Sequence, residues 1–126
     1  MPVLIDSDIL IEVTRGRNAP VLQLWAALAG SNEILMCSPV TVAELWHGVK
    51  AGEQDALAEL FDALEVTTID REVGRVAGEN LKGYSKSQGV ELGDALIGAE
   101  AILRKSHLWT RNRKHYPMSS IRFFEG

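Results

Sequence analysis

At 126 residues, 46% of them hydrophobic, the chain has the size of a single domain over residues 1–126 with one core. Seventeen acidic against thirteen basic residues give a formal net charge of −4, which excludes retention of nucleic acid by diffuse positive charge and leaves a phosphate-bearing partner only a local site. The single cysteine, Cys37, excludes an internal disulfide, and no apolar run reaches the roughly 18 residues of a membrane span or forms the core of a signal peptide, so a cytoplasmic protein with no membrane partner is expected.

Val3, Leu4 and Ile5 form a continuously apolar, partly β-branched run, the pattern of a central parallel strand covered on both faces. The run stops at Asp6 and Asp8, and in open α/β sheets ligands bind outside the carboxyl ends of the strands. Ser7 or Asp8 suits the N-cap of a helix over Ile9 to Arg15. Asp6 falls one residue too early to be the better cap, and its apolar neighbours make an unpaired carboxylate costly, so it is assigned to chemistry.

Gly16, Arg17 and Asn18 make a turn, and Pro20 opens a helix through Val21 to Ala29 that Gly30 closes. Glu33 to Cys37 reads as a second strand. Two helix starts then compete. Thr41-Val-Ala-Glu44 matches a capping box, which gives Glu44 a structural task, while Ser38-Pro39 starts the helix earlier and leaves Glu44 inside it, free for chemistry.

Gly48 to Gly52 interrupts the pattern, and Gln54 to Leu64 resumes it with Leu57, Leu60, Phe61 and Leu64 on one face. Val66 to Ile69 is a third strand, and Asp70 caps a helix that runs to about Ser85. Gln88-Gly89 turns the chain into a helix rich in small and apolar residues, beginning near Val90. Glu91 and Asp94 share a face near its start, where the helix dipole favours negative charge by a few tenths of a kcal/mol. That is too little to bury Asp94 among Leu92 to Ala101, so Asp94 is assigned a functional role.

His107 to Thr110 is a fourth strand, and Ile121 to Phe124 a last one at a sheet edge. Between them lies a basic loop that occupies the position after its strand that Asp6 occupies after the first. It can offer Asn112 to a metal or its waters, and Arg111, Arg113, Lys114 and Tyr116 to phosphates and bases.

Asp6, Glu44 and Asp94 can all reach one crevice, but carboxylates that close raise one another's pKa unless a cation is present. Mg²⁺ or Mn²⁺ suits such oxygen donors and can activate a water against a phosphodiester. Zinc fits poorly, because there is no cysteine pair and His47, His107 and His115 show no ligand spacing. The residues by themselves indicate an acidic metal site on an α/β domain.

Four motifs in order cover nearly the whole chain: Val-Leu-Ile-Asp6-Ser-Asp8-Ile-Leu, Ser-Pro-Val-Thr-Val-Ala-Glu44-Leu-Trp-His-Gly48, Asp94-Ala-Leu-Ile-Gly-Ala-Glu-Ala, and Leu-Trp-Thr110-Arg-Asn112-Arg-Lys-His-Tyr-Pro117. Together they resemble a PIN domain, more narrowly the VapC-type toxins of toxin–antitoxin pairs. The resemblance implies a three-layer α/β/α fold around a mainly parallel sheet of four to five strands. It also implies an endoribonuclease that uses Mg²⁺ or Mn²⁺ on RNA, a VapB-type antitoxin partner and a homodimer.

By position, Asp6, Glu44 and Asp94 match the family's acidic metal ligands, with Asn112 where many relatives carry a fourth acid and Glu91 as a source of extra negative charge. Ser7 and Asn112 would order the outer shell, and Arg111, Arg113 and Lys114 would steer RNA phosphate. The alternatives are a PIN-type RNA-processing nuclease without a toxin role, a binding module of the same fold that has lost the chemistry, and, more remotely, an Asp-x-Asp phosphatase with Asp6 as nucleophile.

Overall fold

The computed structural model describes residues 1–126 and is built on five short parallel strands: β1 (Val3–Ile5), β2 (Leu35–Cys37), β3 (Glu65–Val66), β4 (His107–Trp109) and β5 (Arg122–Phe123), in the spatial order β3-β2-β1-β4-β5. The apolar first run is central, as its composition requires, with Leu4 opposite Met36 on one side and Leu108 on the other. The strands are shorter than the apolar patterns suggested. The third begins at Glu65, one residue before the expected Val66, and stops before Ile69; its last ladder bond is from the Thr67 N–H to the Cys37 carbonyl. The last strand is at an edge, as expected.

Six α-helices cover the sheet: α1 (Ser7–Arg15), α2 (Ala19–Ala29), α3 (Pro39–His47), α4 (Gln54–Asp62), α5 (Arg71–Gln88) and α6 (Leu92–Leu103). Alternation along the strands divides the core. Val3, Ile5, Leu35, Cys37 and Trp109 face one way with residues of α1 to α4, whereas Leu4, Met36 and Leu108 face the other way with Ile97 and Ala101 of α6. The α5 helix packs on α6 through Val73, Ala77, Ala95 and Ala99. The result is the expected three-layer α/β/α architecture.

Short-range capping decided the starts of the helices. Asn18, assigned to a turn, caps α2 by accepting from the Val21 N–H at 3.1 Å, and Asp70 caps α5 as expected. Ser38 caps α3 with Pro39 at its first position, so the Thr41–Glu44 capping box does not form, and Thr41 is buried instead. Where α6 approaches the segment before β5 the packing is close: a Cβ on Gly98 would lie 2.5 Å from Met118 Cε and 3.2 Å from Ile121 Cδ1, so those side-chain ends would have to move.

Topology places the site. From β1 the chain crosses to β2 on one side and returns to β4 on the other, so the strand order reverses between β1 and β4, and the crevice above their carboxyl ends is the switch point where α/β sheets bind ligands. Leu4 and Leu108 are fully buried neighbours there. Leu4→Ala is expected to lower unfolding free energy by about 2–5 kcal/mol, read by chemical denaturation.

Candidate active site

Asp6 is the first residue past β1 and is 8% exposed. Contrary to the expectation from sequence, it is itself the N-cap: α1 begins at Ser7, and Asp6 Oδ1 accepts from the Ser7 N–H at 2.8 Å. Its N–H donates to the Trp109 carbonyl at 3.0 Å, which stitches β1 to the end of β4. Oδ2 accepts from the Thr110 hydroxyl and the Tyr116 hydroxyl, each at 2.9 Å. Both oxygens are thus oriented by fixed donors.

Asp8, assigned to capping from sequence, lies in the first turn of α1 and joins the site. Its Oδ2 accepts from the Arg111 N–H at 2.9 Å and from Asn112 Nδ2 at 3.2 Å, whereas Oδ1 is buried without a partner. Burial, and then repulsion from Asp6, raise its pKa above the ordinary 3.8. Asn112 therefore reaches the acidic cluster as a donor to Asp8.

Asp94 is less buried than the apolar run around it implied: its side chain is 23% exposed, at the start of α6. Oδ2 accepts from the Glu91 N–H at 3.4 Å, and His115 Nδ1 lies 3.9 Å from Oδ1. Desolvation raises its pKa, with smaller contributions from Asp6 and Glu91. Glu91 itself is the exposed N-cap residue. Burial pushes the Tyr116 phenol far up, and the charges of Asp6, Asp94 and Asp8 push it further; of the three, Asp6 accepts its hydrogen bond. The phenol stays a donor at any ordinary pH.

Glu44 stands apart from this trio. It lies on the exposed side of α3, where Oε1 accepts from the Ser7 hydroxyl at 2.6 Å; that hydroxyl also lies 3.3 Å from Thr41 Oγ1. Ser7, adjacent to Asp6, thereby links the two parts of the crevice. No three His, Cys, Asp or Glu side chains converge closely enough to enclose an ion by themselves. The set does fit a hard cation that keeps most of its water and takes one or two carboxylates, and the unpartnered, buried Asp8 Oδ1 is the kind of oxygen such an ion satisfies.

The basic loop forms a single 3-10 turn, Arg113–His115, beside the crevice. Arg111 reaches Glu12 at 3.4 Å and Asp8 at 4.0 Å. Arg113 pairs with Glu125 at 3.2 Å and lies over the Phe123 ring at 4.7 Å, whereas Lys114 is exposed and forms no salt bridge. The Arg113–Glu125 pair is exposed and worth about 0–1 kcal/mol, whereas the carboxylates that Arg111 meets are mostly buried. Tyr116, expected to meet bases, is buried against Asp6. Its role and that of Thr110 were missed from sequence; their place just beyond β4 at the switch point is the only signal that pointed to them.

Fold and acidic crevice together define a class. Residues 3–119 match the model of the PIN domain. Ribonuclease VapC19 of Mycobacterium tuberculosis is 34% identical over 116 residues, 91% of this chain and 92% of that protein. The chain belongs to the PIN-domain family and, within it, to the VapC-type proteins. The crystal structure of VapBC2 from Rickettsia felis, bound to a DNA fragment from its promoter, shares the fold with a TM-score of 0.80 at 22% identity, covering 98% of both chains. A toxin–antitoxin complex from Klebsiella pneumoniae does so with a TM-score of 0.77 at 21% identity, covering 94% of each.

The raised pKa of Asp94 fixes a pH dependence. A carboxyl whose folded pKa exceeds its unfolded one contributes stability that is present below the unfolded value, here near 3.8, and lost as pH rises through the folded value. Asp94→Asn removes that loss and keeps an oxygen to accept from the Glu91 N–H. Without added metal, its stability relative to the unsubstituted protein should therefore grow from about pH 4 to about pH 7 in denaturant titrations. A constant difference would mean that Asp94 is not desolvated.

Proposed function

We propose that the protein is a Mg²⁺- or Mn²⁺-dependent endoribonuclease, the toxin of a type II toxin–antitoxin pair. The observation that carries the reading is the Asp6 carboxylate held by the Thr110 and Tyr116 hydroxyls at the switch point, with the buried Asp8 Oδ1 two residues on unpaired. The relative named a ribonuclease supports a nuclease, and the neighbour described as a toxin–antitoxin complex supports a VapB-type antitoxin partner. A homodimer belongs to the same proposal. No helix is long and apolar enough to cross a membrane.

When bound, the ion supplies polarisation of the scissile phosphodiester and a water acidic enough to attack it. Asp6 and Asp94 hold it, and Asp8 offers its free oxygen. Thr110 and Tyr116 keep the Asp6 carboxylate turned into the crevice, and Ser7 does the same for Glu44, which binds the ion or orients its water. Asn112 spreads the charge of Asp8 by donating to it. Arg111, Arg113 and Lys114 draw the RNA backbone toward an otherwise acidic surface. A phosphatase with Asp6 as nucleophile is disfavoured, because Ile9 and Leu10 follow Asp8 where such enzymes carry Gly-Thr.

Defined RNAs should be cut with Mg²⁺ and left intact with a chelator. Asp94→Asn should fold, yet lose metal affinity and cleavage together by more than about a hundredfold. Full Mg²⁺ affinity by calorimetry would remove Asp94 from the ligands, and metal binding without any RNA cleavage would favour the non-catalytic binding module. Glu44→Gln still accepts from Ser7 but lacks the charge; near-normal cleavage would return Glu44 to a structural role.

For the loop, Arg111, Arg113 and Lys114 changed together to Ala should weaken RNA binding on an Asp6→Asn background. Each lost phosphate contact should lower the slope of log affinity against log salt by about 0.7. An unchanged slope would place the RNA path elsewhere.

A further inference from the structure

Glu100 lies further along α6 from Asp94, is 0% exposed, and takes no part in the site described above. Its Oε1 accepts from the Thr67 hydroxyl at 2.8 Å, and Thr67 also reaches the Cys37 carbonyl at 3.3 Å. The Thr67 N–H also donates to that carbonyl at 2.9 Å, and Ser38, the next residue, caps α3; burial opposes charge on Glu100. Oε2 has no hydrogen-bond partner. One turn on, Arg104 donates to the Thr68 carbonyl at 2.6 Å, so α6 grips the exit of β3 twice.

The geometry connects two catalytic helices. Glu100 shares α6 with Asp94, and Ser38 caps the helix that carries Glu44. The first turns also touch: a Cβ on Gly93, beside Asp94, would lie 3.4 Å from Val40 Cγ1 in the first turn of α3. A buried acid is a poor way to gain stability, since an apolar side chain of similar volume is often neutral or better. Its hydrogen bonds are directional, however, and an apolar contact is not.

Resting on the nuclease reading above, we propose that Glu100 is a positioning residue: through Thr67 and the Cys37 carbonyl beside the α3 cap it holds the Glu44 helix in register with the Asp94 helix, and so sets how the two acids address one cation and its water.

The test compares Glu100→Leu and Glu100→Gln with the unsubstituted protein by thermal unfolding, Mn²⁺ titration and steady-state cleavage of an RNA that it cuts. Glu100→Leu should unfold within a few degrees of the parent, yet lose about tenfold in Mn²⁺ affinity and in kcat with KM for RNA little changed. Glu100→Gln, which can still accept from Thr67, should recover most of both. A well-folded Glu100→Leu with parental Mn²⁺ affinity and kcat would overturn the proposal, as would a Glu100→Gln that recovers neither. If Glu100→Leu prevented folding, Thr67→Val would decide, since it removes the hydroxyl that donates to Glu100 and predicts the same split. Parent protein that binds Mn²⁺ but cuts no RNA would end the nuclease reading alone, because the titrations still judge Glu100; parent protein that binds no Mn²⁺ would end both.

Discussion

The carboxylate of Asp6 is the constraint on which the rest of the site depends. It is tied to the next residue, Ser7, at the start of α1 and to two stretches distant in sequence, the end of β4 and the segment beyond the 3-10 turn. Each tie is a hydrogen bond from a donor that burial denies to water, and a buried donor left unsatisfied costs about 1–3 kcal/mol. Any shift of β4 against β1 would strand the Thr110 and Tyr116 hydroxyls and lose the Asp6 N–H bond to Trp109. The site is therefore as rigid as the centre of the sheet.

Charge is organised locally against the overall balance. A chain of net charge −4 concentrates acids in the crevice and sets Arg111, Arg113 and Lys114 on its rim. Two of those cations are partly committed to Glu12, Asp8 and Glu125. The exposed Arg113–Glu125 pair orients its arginine without holding it, while Arg111 rests on two mostly buried carboxylates.

Much of the fold was legible because its signals are local. An apolar run of three residues, the Pro and Gly boundaries and the caps at Ser38 and Asp70 all reflect chemistry within a few positions. Asp6 and Asp94 stood out because a carboxylate beside apolar neighbours needs a reason to be there. What failed was anything set by direction across long separations. The residue after β1 proved to be a cap because α1 starts two residues earlier than its apolar pattern. Asp8 was set aside for a local task it does not perform, and Tyr116 was placed on the surface because aromatic residues in basic loops often meet bases. Its hydroxyl finds Asp6 only once β4 lies beside β1. The burial of Glu100 in a run of small residues left no trace in pattern at all.

Helix dipoles do not remove the need for a cation. Asp6 and Asp8 sit at the N-terminus of α1 and Asp94 at that of α6, so two positive helix ends point at the acids. Each end is worth about 0.3–1 kcal/mol to a nearby anion, and the effect is confined to the first turn. Against this stand the desolvation of Asp8 and Asp94, their repulsion from Asp6, and a buried Asp8 oxygen with no partner. Removing even one charge from water costs several kcal/mol, and here that cost outweighs the dipoles, as the upward pKa shifts of both acids show. The dipoles and the Arg111 and Asn112 donors reduce the conflict without resolving it. The protein alone therefore holds the crevice in a state that a proton improves, and the divalent ion proposed for it would act in the same direction at neutral pH, where protons are scarce.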